Sequence, residues 1–228
     1  MLTAPGSIRV VMLDAVGTVI YPRPSAAEVY ATHGRKFGSR LDTETIADRL
    51  QESLQQLATD CGNTTDEARE YGRWKTIVTQ VFDDVPDAGG TLFQNLWHHF
   101  AQAEHWCVYD DVPAAWADLE ALGLPIGIAS NFDARLPPIC NQLAPLDRHQ
   151  HLFYSSRVGV AKPHPNFFHT IQQTLDLPAH AILLVGDDVR NDFLGAAEAG
   201  WQSVLLDRTG TSELPAIRSL RQLCKLLA

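Results

Sequence analysis

The sequence predicts an α/β fold: a doubly wound, Rossmann-like parallel sheet interrupted by an all-helical insertion. Three observations predict it. Short apolar runs alternate with helical stretches through the second half of the chain. One similar run, Ile8 to Leu13, stands alone near the N-terminus. Between them, residues 25 to 105 carry helical periodicity and no visible strand. Strands buried on both faces read as continuous apolar runs, and alternating strands and helices build parallel sheets.

The elements follow in order. Ile8-Arg-Val-Val-Met-Leu13 is β-branched, bounded by Gly6-Ser7 and Asp14, and reads as a buried strand. Gly17-Thr18 marks a turn and Tyr21-Pro-Arg-Pro24 a loop. Ile46, Leu50, Leu54 and Leu57 form one helical stripe, broken at Cys61-Gly-Asn63. Thr64 with Glu67 has the pattern of a capping box for the next helix, whose stripe is Tyr71, Trp74, Ile77, Val78 and Val81. After Pro86, Gly89 and Gly90, a third apolar face runs from Leu92 to Phe100. Helix 112–122 then leads to strand 125–129, and helix 134–143 to strand 152–155. Helix 165–175 leads to strand 181–185, helix 192–199 to strand 203–206, and a last helix is expected over 213–227. The predicted division is a core of residues 1–21 and 108–228 and a helical insertion of 22–107.

The chain has 228 residues, 45% hydrophobic and 20% charged, enough for a core without disulfides or a structural metal. Its formal charge of -9 disfavours general nucleic-acid binding. Cys61, Cys107, Cys140 and Cys224 are scattered without a CxxC pair, which suits reduced thiols and a cytoplasmic location. No signal peptide or membrane span is read at the N-terminus. Oligomeric state is not legible.

In doubly wound sheets ligands bind outside the carboxyl ends of the strands. The polar residues there are Asp14 with Gly17-Thr18, then Ser130-Asn131, then Asp187-Asp188 with Asn191-Asp192 just beyond. Lys162-Pro163 opens the helix before the last two strands. Three carboxylates in one cleft repel one another unless a cation sits among them. Oxygen-only ligands suit Mg²⁺, leaving a lysine and a hydroxyl for an anionic substrate group. Each residue alone has a structural use as turn, cap or surface charge; it is their shared position at one sheet edge that points to a site.

Four segments in this order, Val-Val-Met-Leu-Asp14-Ala-Val-Gly-Thr18, Gly-Ile-Ala-Ser130-Asn131, Lys162-Pro-His-Pro-Asn-Phe167 and Leu-Leu-Val-Gly-Asp187-Asp188-Val-Arg-Asn-Asp192, resemble the motifs of the haloacid dehalogenase-like (HAD) hydrolase superfamily. The insertion after the first motif resembles its helical-cap subgroup. The resemblance implies a Mg²⁺-dependent phosphatase acting on a small phosphorylated metabolite. Asp14 would be the nucleophile that forms an aspartyl-phosphate and also binds the metal, with Asp187, Asp192 and the backbone carbonyl at Val16. Ser130 and Lys162 would hold the phosphoryl oxygens, and Asn131 would orient the site.

One departure matters. Phosphatases of this family carry a second aspartate two residues after the nucleophile, which protonates the leaving group. Here that residue is Val16. General acid–base catalysis is worth about 10²–10⁴-fold, so alkyl phosphates are expected to react slowly, and acyl or activated aryl phosphates to suffer least. Haloacid dehalogenases also lack this acid and are an alternative, although they usually lose the acidic fourth motif that this chain keeps. Phosphonate hydrolases use a cap lysine, for which only Lys36 and Lys75 are available. A binding or regulatory protein on the same scaffold is a third alternative.

Other signals are read as structural. His98-His99 are adjacent, His149 and His151 flank Gln150, and no HxxxH pair supports a zinc site. His164 and the group His33, Arg35 and Lys36 are read as surface residues. The five tryptophans are read mainly as packing.

Overall fold

The computed structural model describes residues 5–60 and 64–227. The break expected at Cys61-Gly-Asn63 lies outside the described residues. Strand β1 (Val10–Leu13) is followed by β2 (Ile20–Pro22) and then by four helices: α1 (Ala26–Lys36), α2 (Thr43–Asp60), α3 (Glu67–Val81) and α4 (Phe93–His99). The chain returns through β3 (Trp106–Val108) to α5 (Val112–Ala121), β4 (Ile126–Ser130), α6 (Leu136–Cys140), β5 (His151–Tyr154), α7 (Ser155–Val158) and α8 (Pro165–Leu175). Strand β6 (Ile182–Gly186), a π-helical turn over Val189–Leu194, α9 (Gly195–Glu198), β7 (Gln202–Leu206), β8 (Ala216–Ile217) and α10 (Leu223–Leu227) complete it.

The main sheet has the order β5-β4-β1-β6-β7-β8, with every neighbouring pair parallel. Alternate residues of β1 feed opposite faces, as strand geometry requires. Val11 and Leu13 join a cluster with Trp116 and Leu119 of α5 and Ile139 of α6. Val10 and Met12 join Phe167, Phe168 and Ile171 of α8. Both faces are therefore covered. After β1, the chain adds β4 and β5 on one side and β6 to β8 on the other, so the topological switch point lies beside β1.

The inserted helices form a cap with a core of its own. Val29 and Tyr30 of α1, Ile46 of α2, Ile77 and Val81 of α3 and Leu96 of α4 pack together. Each buried side chain of this size contributes about 1.5–3 kcal/mol, so the insertion has its own hydrophobic drive. Among the described residues no helix is long and apolar enough to cross a membrane.

Several local expectations are corrected. Strand β1 begins at Val10, two residues after Ile8. The loop expected at Tyr21-Pro22 is the antiparallel partner of β3, with Ile20 opposite Val108 and Pro22 opposite Trp106. Asp66 caps α3 by accepting from Arg69 N–H; Thr64 and Glu67 do not form a box. The helix expected from Asp192 starts as the π-helical turn. The helix expected over 213–227 is instead the two-residue strand β8, a short 3₁₀ turn and α10. Ile217, Leu220 and Leu223 are all buried at a spacing of three, which mimicked a helical stripe.

Candidate active site

Asp14 directly follows β1, and its N–H donates to the carbonyl of Val185 on β6 at 2.9 Å. That bond fixes the first carboxylate against the strand that delivers Asp187. Ser130 ends β4 and is buried. Asp192 lies in the π-helical turn after β6 and is also buried. Carboxylate oxygens of Asp14, Asp187 and Asp192 all lie within 4.8 Å of one another. All seven residues singled out from the sequence (Asp14, Val16, Ser130, Asn131, Lys162, Asp187 and Asp192) line one cavity of about 190 Å³.

Lys162 organises the pocket floor. Its ammonium donates to Asp14 Oδ1 at 2.7 Å, to Asp192 Oδ1 at 2.5 Å and to the carbonyl of Ala129 at 2.8 Å. Burial works against this charge, but the two carboxylates hold the lysine pKa above its ordinary value. Asn131 clamps the Lys162 backbone from both sides: its Nδ2 donates to the Lys162 carbonyl at 2.9 Å, and its Oδ1 accepts from the Lys162 N–H at 2.8 Å. The acidic side is strained electrostatically. Asp187 is exposed on its outer side, yet desolvation by the neighbouring groups, then the charge of Asp14, push its carboxyl up to about 6, against a hydrogen bond from Thr18. Burial likewise raises Asp192, against the Lys162 ammonium.

The turn after β1 is shaped for this contact. Thr18 Oγ1 donates to Asp187 Oδ1 at 2.9 Å. Gly17 has φ +87°, and a Cβ there would fall 2.2 Å from Asp187 Oδ2. Glycine is required for both reasons. A Cβ at Gly186 would fall 2.1 Å from Asp192 Oδ2, a second close approach.

Sequence reasoning missed two arginines. Arg208, beyond β7, donates to the carbonyls of Gly17 at 3.2 Å and Thr18 at 2.6 Å, and lies 3.8 Å over the Tyr109 ring. Arg135 pairs with Asp133 through Nε at 2.8 Å and Nη2 at 2.7 Å, and stacks 3.6 Å over Trp97 of the cap. The contacts of Arg208 and the stacking of Arg135 on Trp97 span long sequence distances, so no local pattern signals them. Asp188 caps the π-helical turn, accepting from the N–H groups of Arg190 and Asn191 at 2.8 Å each. His164 accepts from Asn166 N–H and caps α8. Lys36 and Lys75 are exposed and line neither this cavity nor the larger one beside it. Among the described residues the aspartate trio is the one group placed to hold a metal.

An acidic pocket with a buried lysine, at the carboxyl edge of a parallel sheet and under a helical cap, defines a hydrolase site. The chain belongs to the haloacid dehalogenase-like hydrolase family, whose profile matches residues 8–200. It is 28% identical over 214 residues to haloacid dehalogenase-like hydrolase domain-containing protein 3 of Danio rerio, covering 88% of this chain and 86% of that one. It is 26% identical over 213 residues to a ribulose-1,5-bisphosphate 5-phosphatase of Halopiger xanaduensis, covering 89% and 86%. Among solved structures, a defluorinating L-2-haloacid dehalogenase shares the fold, with TM-score 0.76 and 16% identity over 96% of this chain and 95% of that one.

Proposed function

We propose that this protein is a Mg²⁺-dependent phosphatase of the cytoplasm, acting on a small phosphorylated metabolite through an aspartyl-phosphate on Asp14. The observation that carries this reading is the close approach of Asp14, Asp187 and Asp192, within 4.8 Å, with Lys162 the one cationic side chain among the described residues lining their cavity. One ammonium leaves an excess of negative charge, which a hard cation held by oxygen ligands would offset. The donor set fits Mg²⁺: Asp14, Asp187 and Asp192 cluster, and Val16, whose carbonyl would join them, lines the same cavity. When bound, the ion would screen the nucleophile and polarise the phosphoryl oxygens. The cytoplasmic reading is supported by Cys107, Cys140 and Cys224, which are free thiols. The core and cap division at residues 22 and 107 is supported by the β2–β3 pairing, where the chain leaves and re-enters the core.

In this mechanism Lys162 holds one oxygen of Asp14, leaving the other to attack phosphorus. The Ser130 hydroxyl binds a phosphoryl oxygen, the Lys162 ammonium does so by exchanging one of its three hydrogen bonds to Asp14, Asp192 and the Ala129 carbonyl, and Asn131 keeps Lys162 in place. Thr18 orients Asp187 through its hydrogen bond. The cap excludes water until the phosphoryl group has moved. Val16 supplies no proton to the leaving group, so alkyl esters are poor substrates. Carbon–halogen cleavage needs no cation and would leave Asp187 and Asp192 no ion to hold.

The test is turnover of phosphorylated compounds and 2-haloacids with and without Mg²⁺. Phosphate release that requires Mg²⁺ and vanishes in Asp14→Asn supports the reading. Metal-independent halide release in place of phosphate release refutes it.

A further inference from the structure

A second cavity, of about 560 Å³, lies between cap and core and shares Asn131, Asp188 and Asn191 with the acidic pocket. It is the natural place for the part of the substrate that is not phosphate. A volume of this size takes a ligand far larger than a two-carbon acid. Its apolar wall is made by Ala47, Leu50 and Leu54 of α2, Trp74 of α3 and Phe132 of the core.

Each charged group in this chamber faces an opposite charge or a backbone donor. Arg135 is bound to Asp133 at 2.7 Å. Arg73 lies 4.0 Å from Glu70, whose carboxylate also accepts from the Thr65 hydroxyl at 2.6 Å. Asp188 is spent capping the π-helical turn. Each described charge lining the chamber thus already has a counterpart, so a charged substrate body would have to compete for it while losing its own water. A separate observation concerns the acidic pocket. Among its described lining residues the acids are Asp14, Asp187, Asp188 and Asp192, each assigned above to the nucleophile, the metal or a cap, and Val16 stands 38% exposed at its mouth. Among the described lining residues no acid is left unassigned to protonate the leaving oxygen.

We propose that the substrate is the phosphate of an acidic hydroxyl, a phenol or a carboxylic acid, carried on an uncharged apolar body that lies against Leu50, Leu54 and Trp74. This rests on the phosphoryl-transfer reading above. The leaving oxygen must depart as an anion. The conjugate acid has a pKa of about 10 for a phenol and about 4 for a carboxylic acid, against about 15.7 for water itself. In the first step an Asp14 oxygen bonds to phosphorus, the bond from phosphorus to the leaving oxygen breaks, and the aryloxide or carboxylate leaves with the electron pair. In the second, water attacks phosphorus, the bond to Asp14 breaks, and dihydrogen phosphate leaves carrying both protons of the water. Asp14 is restored and solvent protonates any aryloxide.

The experiment measures kcat/KM with Mg²⁺ for alkyl phosphates, substituted phenyl phosphates, 1-naphthyl phosphate, acetyl phosphate and benzoyl phosphate. The expected result is a steep fall as the leaving-group pKa rises, with alkyl phosphates at least 100-fold below aryl ones. The slope flattens in Val16→Asp. Benzoyl phosphate exceeds acetyl phosphate, and Leu54→Glu lowers the benzoyl-to-acetyl ratio at least tenfold. Naphthyl and benzoyl phosphates separate the phenol from the carboxylic-acid source. A flat dependence, with alkyl phosphates matching aryl ones, overturns the inference but leaves the phosphatase reading standing. A benzoyl-to-acetyl ratio untouched by Leu54→Glu overturns the apolar-body assignment. Failure to release phosphate from any of them overturns the phosphatase reading itself.

Discussion

The carboxylate of Glu67, in the first turn of α3, accepts the backbone N–H of Ala134, 3.1 Å from each of its oxygens. The same carboxylate accepts the hydroxyl of Ser156. Next to it, Thr65 N–H donates to the Gly159 carbonyl at 3.0 Å, and Thr64 bridges to Val160. The cap thus grips the two core segments that carry Asn131 and Lys162. Glu67→Ala is expected to cost about 1 kcal/mol, to speed amide exchange over residues 131–135 and to lower kcat/KM several-fold. Glu67→Gln keeps an acceptor and recovers part of both. Unchanged exchange in the alanine variant would contradict the coupling.

Gly17 predicts a sharper effect. Its positive φ and the neighbouring Asp187 carboxylate both exclude a side chain. Gly17→Ala is expected to lose about 1–2 kcal/mol from backbone conformation alone, and to weaken Mg²⁺ binding by displacing Asp187. Denaturant titration and isothermal calorimetry report the two effects. Full Mg²⁺ affinity in the variant would show that the contact is not needed.

Lys162→Met removes the ammonium shared by Asp14 and Asp192. Breaking a buried ion pair by deleting one partner costs about 3–5 kcal/mol, so a large fall in melting temperature is expected. Mg²⁺ should return part of it, because the cation offsets the same two carboxylates. A variant as stable as the parent without metal would contradict this electrostatic account.

Much of the fold and of the site is legible in the sequence. Buried parallel strands declare themselves as apolar runs, and the residues that follow them fall at one sheet edge by topology alone. That is why Asp14, Ser130, Lys162 and Asp187 meet as expected. The β2–β3 pair was not legible, because strands of three residues containing Pro22 give no periodic signal. Glu67 looked like half of a capping box because the pattern is local, whereas its partners Ala134 and Ser156 are distant in sequence. Arg208 and the stacking of Arg135 on Trp97 escaped notice for the same reason.

Acid should loosen the cap. His99 stacks on His105 at 3.6 Å and meets His33 edge-on at 5.6 Å. Burial first, then the charges of His105 and His33, lower the His99 pKa to about 4 from its ordinary 6.5. His33 is lowered too, by burial and Lys36, while Glu104 lies 3.7 Å from His105. Between pH 6.5 and 4 the unfolded chain binds a proton at His99 that the folded chain does not. Stability from this site is therefore complete above the upper limit and falls as pH drops through the window. His99→Phe should fall less steeply in urea titrations over that range. An identical slope would place the acid sensitivity elsewhere.

The central claim is that Asp14 carries the phosphoryl group. Acid-quenched protein, mixed briefly with acetyl phosphate and Mg²⁺, should gain the mass of one phosphoryl group on the peptide containing Asp14. The label should be absent without Mg²⁺ and absent in Asp14→Asn. A label on another residue, or none while phosphate is released, would contradict the account.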